Sequence, residues 1–498
     1  MKIIIDESPT GSGKTYRVLE DITKESCKVL FIVERIERFS ELRQEIVKLA
    51  AVQGTHPTIV DIHSNSRSRT NSVSRRIEAI PDDYRLYRHV IVLATHAAML
   101  RSDFSGFAGW QIIVDEVPNF LDFEQKQTHL DQAYFEKFYE LKPLDGEWYA
   151  VVATPAGIAL TAADVRADES HSHLAVFHRR VLDASRPDAT RFVLCNLPDW
   201  TAMADKKVQW CWASAFSLWE LQAFDRITLL GNRFRADIGS MISATLDVEA
   251  IEWSTRESLK GKRDFHHRVV NIQYFSEHRC ASRNLFDSAS GQVMLNEIGA
   301  YLAGELNGVE CIWTANDPAN DDSSFEDSVS ARKGLEAAGL SPSNYLSPRQ
   351  AGTNAHQKKS HVAAIYSAKP APNLIALLKA LNIPVEYWTR SIEHETILQF
   401  VTRTSIRDEG NSSPVHIWVF DREQALYLKE YFDGLVYVAA TMKKVENGPE
   451  IPLLERRGPK TTMRTPEEKA AYDAEKRRRD AERKREARAK AKALKKAA

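Results

Sequence analysis

Cysteine is scarce in this 498-residue chain and widely scattered. Its five cysteines, Cys27, Cys195, Cys211, Cys280 and Cys311, form no C-x-x-C pair. That spacing excludes a zinc knuckle and a disulfide framework, and it fits a reducing, cytoplasmic setting. Long apolar runs are missing too. No stretch approaches the about eighteen residues that a membrane span needs, so no membrane partner is expected. The opening MKIIIDESPTG has one lysine and a short apolar stretch before acidic residues. It reads as a buried strand and not as a signal peptide.

Net charge is almost absent, at −1, but its distribution is lopsided. From Arg456 onward there are 17 Lys or Arg against 7 Asp or Glu, while the preceding 455 residues hold 50 basic and 61 acidic residues. A basic tail on a mildly acidic body suits a polyanionic partner. The tail is rich in Ala, Glu, Lys and Arg, a strongly helical composition with almost no apolar stripe to bury. Hydrophobic residues make up 43% and charged residues 27%, as in ordinary globular proteins, and the length suits about three domains.

The first hundred residues alternate apolar strands with helical stretches. Lys2–Asp6, KVLFIVE at 28–34, TIVDIHS at 58–64, the start of HVIVLATHAAML at 89–100 and WQIIVDE at 110–116 read as strands. Thr15–Ile22 and RIERFSELRQEIVKLA read as helices. Continuous β-branched runs of this kind predict a parallel sheet covered on both faces. From 121 to 205 the regularity fades, and stretches such as Asp131–Leu141 predict a helical elaboration. QWCWASAFSLWELQAFDRITLLGNRF (209–234) then reads as strand, helix, strand. The charged stretch at 254–267 reads as a connector. Beyond it RVVNIQYF, a helix around 291–306, VECIWTAND, HVAAIYSAKP and VHIWVFD form a second α/β series. The expected division is 1–253, a connector at 254–267, 268–440, and an extended segment with the basic helical tail at 441–498.

SPTGSGKT (8–15) carries most of a phosphate-binding loop pattern, with Ser8 where the generic pattern has Gly. Gly11 and Gly13 let the backbone turn so that amides of Thr10, Gly11, Ser12 and Gly13 can face phosphate oxygens. Lys14 would reach the β- and γ-phosphates of ATP, and the Thr15 hydroxyl would hold Mg²⁺. A helix N-terminus at this point adds its positive dipole end. About a hundred residues on, IIVDEVPN (112–119) ends an apolar strand in Asp115 and Glu116. Asp115 would bind Mg²⁺ through its water shell, and Glu116 would orient or deprotonate a hydrolytic water.

SPTGSGKT and DEVP, on two α/β halves, resemble motifs I and II of superfamily-2 helicases and translocases, the broad DEAD/DEAH-like class. ATHAAML (94–100) resembles motif Ib, which implies that Thr95 touches a nucleic-acid backbone. WASAF (212–216) resembles motif III, the Ser-Ala-Thr element coupling ATP to strand movement. VVATP (151–155) is a rival, and the first is preferred because the strand ITLLGN follows it. QAGTNAHQKKSHVAAIYSAKP (350–370) resembles motif V, placing Gly352, Thr353 and Asn354 at the cleft, with Thr353 toward nucleic acid. QFVTRTSIR (399–407) resembles motif VI. Gln399 and Arg403 keep the family spacing, but Arg407 falls eight residues after the glutamine instead of seven. On a helix Arg403 and Arg407, at i and i+4, would share one face toward the phosphates.

The resemblance spans roughly residues 1 to 432. It implies two tandem RecA-like domains, a nucleic-acid-dependent ATPase using ATP and Mg²⁺, and a single- or double-stranded nucleic acid as partner. The chain begins one strand before its phosphate loop, leaving no place for the glutamine motif of DEAD-box RNA helicases. That and the DEVP tetrad point away from that RNA subgroup, and DNA is the expected partner. A style familiar from phages and mobile elements suggests protein partners in a replication or repair complex. An alternative is a phage packaging-type motor ATPase with an associated nuclease, whose metal cluster would draw on Asp317, Asp321, Asp322 and Asp421. Trp212, Trp219 and Trp313 are candidates to stack on bases, with core packing the simpler role.

Overall fold

A computed structural model describes residues 1–452 except 65–71, 129–131, 146, 187–188, 204–207, 247–250, 257–265, 318–329 and 349–354. The basic tail lies outside the described residues, as do Gly352, Thr353, Asn354, Asp321 and Asp322.

The first half is built on strands β1 (Lys2–Asp6), β2 (Lys28–Val33), β3 (Thr58–Asp61), β4 (Val90–Thr95) and β5 (Gln111–Asp115). A second group, β6 (Leu121–Thr128), β7 (Tyr139–Asp145), β8 (Trp148–Ala153), β9 (Phe192–Asn196) and β10 (Val208–Ala215), follows before β11 (Arg226–Leu230) and β12 (Glu252–Thr255). The second half contributes β13 (Arg268–Ser276), β14 (Cys311–Ala315), β15 (His361–Ile365), β16 (Val415–Asp421) and β17 (Val438–Lys444).

Among the described residues these strands form three sheets. The first is seven-stranded and all parallel, in the order β12-β1-β11-β5-β2-β4-β3. Strand β2 shows why both its faces are covered. Leu30 and Ile32 enter one core with Ile112 and Val114, while Val29, Phe31 and Val33 enter another with Leu19, Ile46 and Ile113. The last sheet is five-stranded and parallel, β14-β15-β16-β13-β17. Ile272, Val362 and Ile417 lie on one face, Trp313, Ala363 and Trp418 on the other. Parallel sheets with helices on both sides are the expected outcome of continuous apolar runs. The architecture is tandem RecA-like α/β.

The region 121–205 departs from the helical elaboration expected of it. It supplies most of a five-stranded antiparallel sheet, β6-β10-β9-β8-β7. The helix expected at Asp131–Leu141 is Gln132–Phe138, and Tyr139–Leu141 already belong to β7. An antiparallel sheet alternates its side chains, and β10 does so with two buried faces. Trp210 and Trp212 pack with Phe135, Phe177 and Trp200. Cys211 and Ala213 join the core containing Leu374, Leu377 and Leu378 from the helix Pro372–Ala380 of the second half. WASAF therefore starts within this added sheet. The helix expected after it is only a short 3₁₀ turn, Leu218–Leu221.

Strand β12 runs to Thr255, two residues into the stretch expected to connect the halves, and β17 runs to Lys444. Among the described residues, no helix is long and apolar enough to cross a membrane.

Candidate active site

Because β1, β4, β5 and β11 run parallel, their carboxyl ends share one edge of the first sheet, where ligands of open α/β sheets bind. Strand β1 leads into the phosphate-type loop. Gly11 and Gly13 both have left-handed backbones, at φ 80° and 84°, so glycine is required at each. Gly13 is also the N-cap of the helix Lys14–Lys24, which has no acidic residue in its first turn. Val18, Leu19 and Ile22 anchor that helix in the core.

The lysine and threonine both turn toward the loop and the end of β5. Lys14 Nζ donates to the carbonyls of Ser8 at 2.6 Å and Pro9 at 3.2 Å, which closes the loop into an arch. The Ser8 amide donates to Asp6 Oδ1 at 3.0 Å, at the base of the arch. Thr15 Oγ1 donates to Asp115 Oδ2 at 2.9 Å. Two ligand candidates, a hundred residues apart in sequence, thus share one point. Glu116 follows with φ 56°, a left-handed turn unusual for a side-chain-bearing residue, fixed by its amide bonding to Leu230 O at 2.9 Å.

Charge is concentrated here at the expense of solvation. Burial, opposed by attraction to Asp115, Asp6, Glu116 and Glu395, pulls the Lys14 ammonium below its ordinary pKa. Burial and then the neighbouring Glu116 push Asp115 up to about 6. His96 is buried beneath Asp115, with Nε2 2.9 Å from the Asp115 carbonyl. Burial pulls its pKa down to about 4, so it is neutral and donates from Nε2.

The second half closes the site from the other side. Gln399, Arg403 and Arg407 line the same cleft of about 770 Å³ as Thr10–Thr15, Asp115 and Glu116. That volume can hold a nucleotide-sized ligand. The two arginines are not on one helix as the spacing suggested, because the helix Glu395–Val401 stops short of both. Thr402 and Thr404 hydroxyls donate to the carbonyls of Gln399 and Val401, at 3.3 and 2.8 Å, competing with the helical ladder. The chain turns into a 3₁₀ segment, Ser405–Arg407, and this turn absorbs the extra residue of spacing.

Arg407 reaches the loop of Gly11 itself. A Cβ placed on Gly11 would stand 3.4 Å from Arg407 Cγ. Arg403 is 3% exposed, and burial, opposed by Glu116, pulls its pKa down to about 10. Burial depresses Arg407 as well. Among the described residues, Arg403 Nη1 and Arg407 Nε are buried without a hydrogen-bond partner. Buried guanidinium groups in this condition call for an anion.

Other predicted residues are placed apart. Thr95 ends β4 on the same sheet edge but does not line the cleft; its hydroxyl caps the short helix His96–Met99. Pro348 and Gln357, on either side of Gly352 and Thr353, do line it. WASAF is not beside the Asp-Glu strand. The strand between β1 and β5 is β11, and the residues leaving it, Gly231 and Asn232, line the cleft. VVATP ends β8 in the added sheet, where Thr154 caps the helix Pro155–Ala159. Trp212, Trp219 and Trp313 are all buried, which leaves no face free to stack on a base. Asp421 caps the helix Arg422–Asp433, Asp317 pairs with Arg332, and no acidic or His/Cys cluster suited to a metal occurs among the described residues.

Sequence reasoning missed Arg268 and Asn232. Arg268 is 1% exposed and donates to the carbonyls of Ser405, Asp408 and Asn411, stapling the loop that carries Arg407. It opens a strand whose buried positions also include Gln273 and Ser276, and a buried charge at the head of that strand was its signal. Asn232 Nδ2 donates to Glu395 across the cleft at 3.0 Å.

No protein-family model matches this chain, and no curated protein does. Solved structures give distant likenesses. S. tokodaii Xpd4 is 12% identical, with a TM-score of 0.43, over 88% of this chain and 96% of that one. A S. cerevisiae Dbp5 variant bound to RNA and ADP BeF3 is 10% identical, with a TM-score of 0.36, over 89% and 85%. A DEAD box protein from the hyperthermophile Methanococcus jannaschii is 12% identical, with a TM-score of 0.26, over 90% and 89%. At such distance they carry no argument about chemistry, which rests on the cleft.

Proposed function

We propose that the chain is a nucleic-acid-dependent ATPase of the helicase or translocase type, acting on DNA in preference to RNA. The observation that carries this reading is the two-sided cleft: Arg403 and Arg407 of the second half face the loop of Lys14 in the first. A phosphate site completed only by a second half can convert hydrolysis into relative motion of the halves.

In this reading the amides of Thr10–Gly13 and the Lys14 ammonium bind the phosphates of ATP. Thr15 and Asp115 are the residues that would hold Mg²⁺, whose charge would offset that of the phosphate oxygens. Glu116 orients the attacking water and takes its proton as the water oxygen bonds to the γ-phosphorus and the bond to the ADP oxygen breaks. Arg403 and Arg407 stabilise charge on the transferring group, and Gln399 orients the water beside them. Thr95 and Thr353 would contact the nucleic-acid backbone. The basic tail would add sequence-independent phosphate contacts.

The test is ATP hydrolysis with and without single-stranded DNA, duplex DNA and RNA, for wild type and Lys14→Ala. DNA-stimulated turnover that Lys14→Ala abolishes is expected. Turnover indifferent to every nucleic acid would remove the helicase reading, and equal activity in Lys14→Ala would remove the ATPase. A magnesium-dependent nuclease product would instead promote the packaging-motor reading.

A further inference from the structure

The helix Arg422–Asp433 of the second half plays no part in the chemistry above, yet it reaches the phosphate loop. Tyr427 and Tyr431 are one turn apart on it, and both are buried. The Tyr431 hydroxyl accepts a hydrogen bond from the Thr10 amide at 3.0 Å, so a residue of the second half holds the loop's backbone directly. The Tyr427 hydroxyl donates to Glu395 Oε2 at 3.0 Å. Glu395 also accepts from Asn232 Nδ2, at 3.0 and 3.3 Å to its two oxygens.

Asn232 is the first side chain to leave β11, the strand between those of the loop and of Asp115. The next residue, Arg233, has a left-handed backbone at φ 53°. Its guanidinium lies 5.7 Å from the Tyr431 ring and 6.0 Å from the Tyr427 ring. The contacts close into a circuit running from the phosphate loop through Tyr431, Arg233, Tyr427 and Glu395 to Asn232. The loop after β1 and the turn after β11 are thereby tied to one helix of the opposite half.

We propose that Tyr431, Tyr427, Glu395 and Asn232 form a clasp between the halves that positions Arg407 on the phosphate loop. These are positioning residues: none of them has a task in the bond-breaking step. Both contact sets bear on the same loop, since Tyr431 holds Thr10 while Arg407 lies against Gly11. Losing the Tyr431 hydroxyl frees the loop to move relative to the arginine, although the aromatic packing stays. The clasp itself is a matter of contacts, whereas its catalytic consequence rests on the ATPase reading.

Two measurements on the full-length protein test it. The first is hydrogen exchange of the Thr10 amide, compared between wild type and Tyr431→Phe. The loss of one hydrogen bond is expected to speed exchange roughly three- to tenfold with the melting temperature lowered by no more than about two degrees. Unchanged exchange would overturn the clasp. Asn232→Ala, at the other end of the circuit, is expected to speed exchange at Thr10 as well, and a change confined to its own neighbourhood would contradict the circuit.

The second is a double-mutant cycle on turnover. Tyr431→Phe is expected to lower kcat roughly tenfold, with KM for ATP moving less, and to cost nothing further in an Arg407→Ala background. Fully additive losses would show that Tyr431 does not act through Arg407, which overturns the positioning role. If the wild type hydrolyses no ATP, the functional reading fails by itself, and the exchange measurement alone decides the clasp.

Discussion

Gly11→Ala puts one methyl group at the point where the two halves meet. Two costs follow from the geometry. The backbone sits at φ 80°, where a residue with a Cβ is disfavoured by about 1–2 kcal/mol. The methyl carbon would also stand 3.4 Å from Arg407 Cγ and 3.8 Å from Cδ and Nε, close enough that the arginine must shift by a few tenths of an ångström. Arg407 has little freedom to do so, because Arg268 holds the carbonyls on either side of it. Both costs fall on the arrangement that brings arginine and loop together, so its population drops roughly 5- to 30-fold. Steady-state hydrolysis at saturating ATP would then fall by about tenfold, while the melting temperature drops by roughly one to four degrees. A Gly11→Ala protein with wild-type kcat and wild-type melting would refute the reasoning, since neither the left-handed turn nor the arginine contact would then matter.

His96 supplies a pH signature. Its imidazole is buried and neutral with a pKa near 4, against 6.5 when exposed, so unfolding takes up a proton below pH 6.5. Its contribution to stability is complete above pH 6.5 and lost as pH falls toward 4, about 2 kcal/mol by pH 5. Asp115, raised to about 6, works in the opposite sense between pH 6 and 4, so the wild-type curve blends the two. His96→Gln, which can still donate to the Asp115 carbonyl, should therefore show a shallower fall of urea midpoint between pH 7.5 and 5; an identical slope would place His96 elsewhere in the linkage. Gly157→Ala would bring a methyl 2.2 Å from the Phe138 carbonyl, where β7 begins, and should destabilise the added sheet by about 1–3 kcal/mol in urea titrations. An unchanged midpoint would contradict that packing. Removing residues 453–498 should weaken nucleic-acid binding and flatten the dependence of log affinity on log salt. An unaltered salt slope would mean that the tail makes no phosphate contacts.

Much of the parallel framework could be read from the chain because fully buried strands are written as continuous apolar runs. KIIID, KVLFIV, VIVLAT, QIIVD and HVAAI all became strands close to their expected limits. The added sheet was not legible in this way. QWCWASA reads as a strand, but nothing in it says that it pairs in a separate antiparallel sheet, and YELKPLD carries a proline and a register shift. Lys14, Thr15, Asp115 and Glu116, which line one cleft, could be singled out because they stand in short motifs. Asn232, Glu395, Tyr427 and Tyr431 could not, because each is an ordinary residue until three distant segments bring them together. The resemblance of WASAF to motif III did not say which sheet it joins, because order along the chain does not fix order in a sheet. A strand inserted beside both β1 and β5 can arrive late in the chain, as β11 does.

The central claim is that the site has two sides, with binding on the loop and completion by the opposite arginines. Single-turnover hydrolysis measured beside ATP affinity, in wild type and Arg407→Ala, tests it most directly. The account predicts hydrolysis slowed by about 100-fold or more with ATP affinity reduced by less than about tenfold. Hydrolysis at the wild-type rate in Arg407→Ala would contradict it, and the cleft would then be a one-sided site.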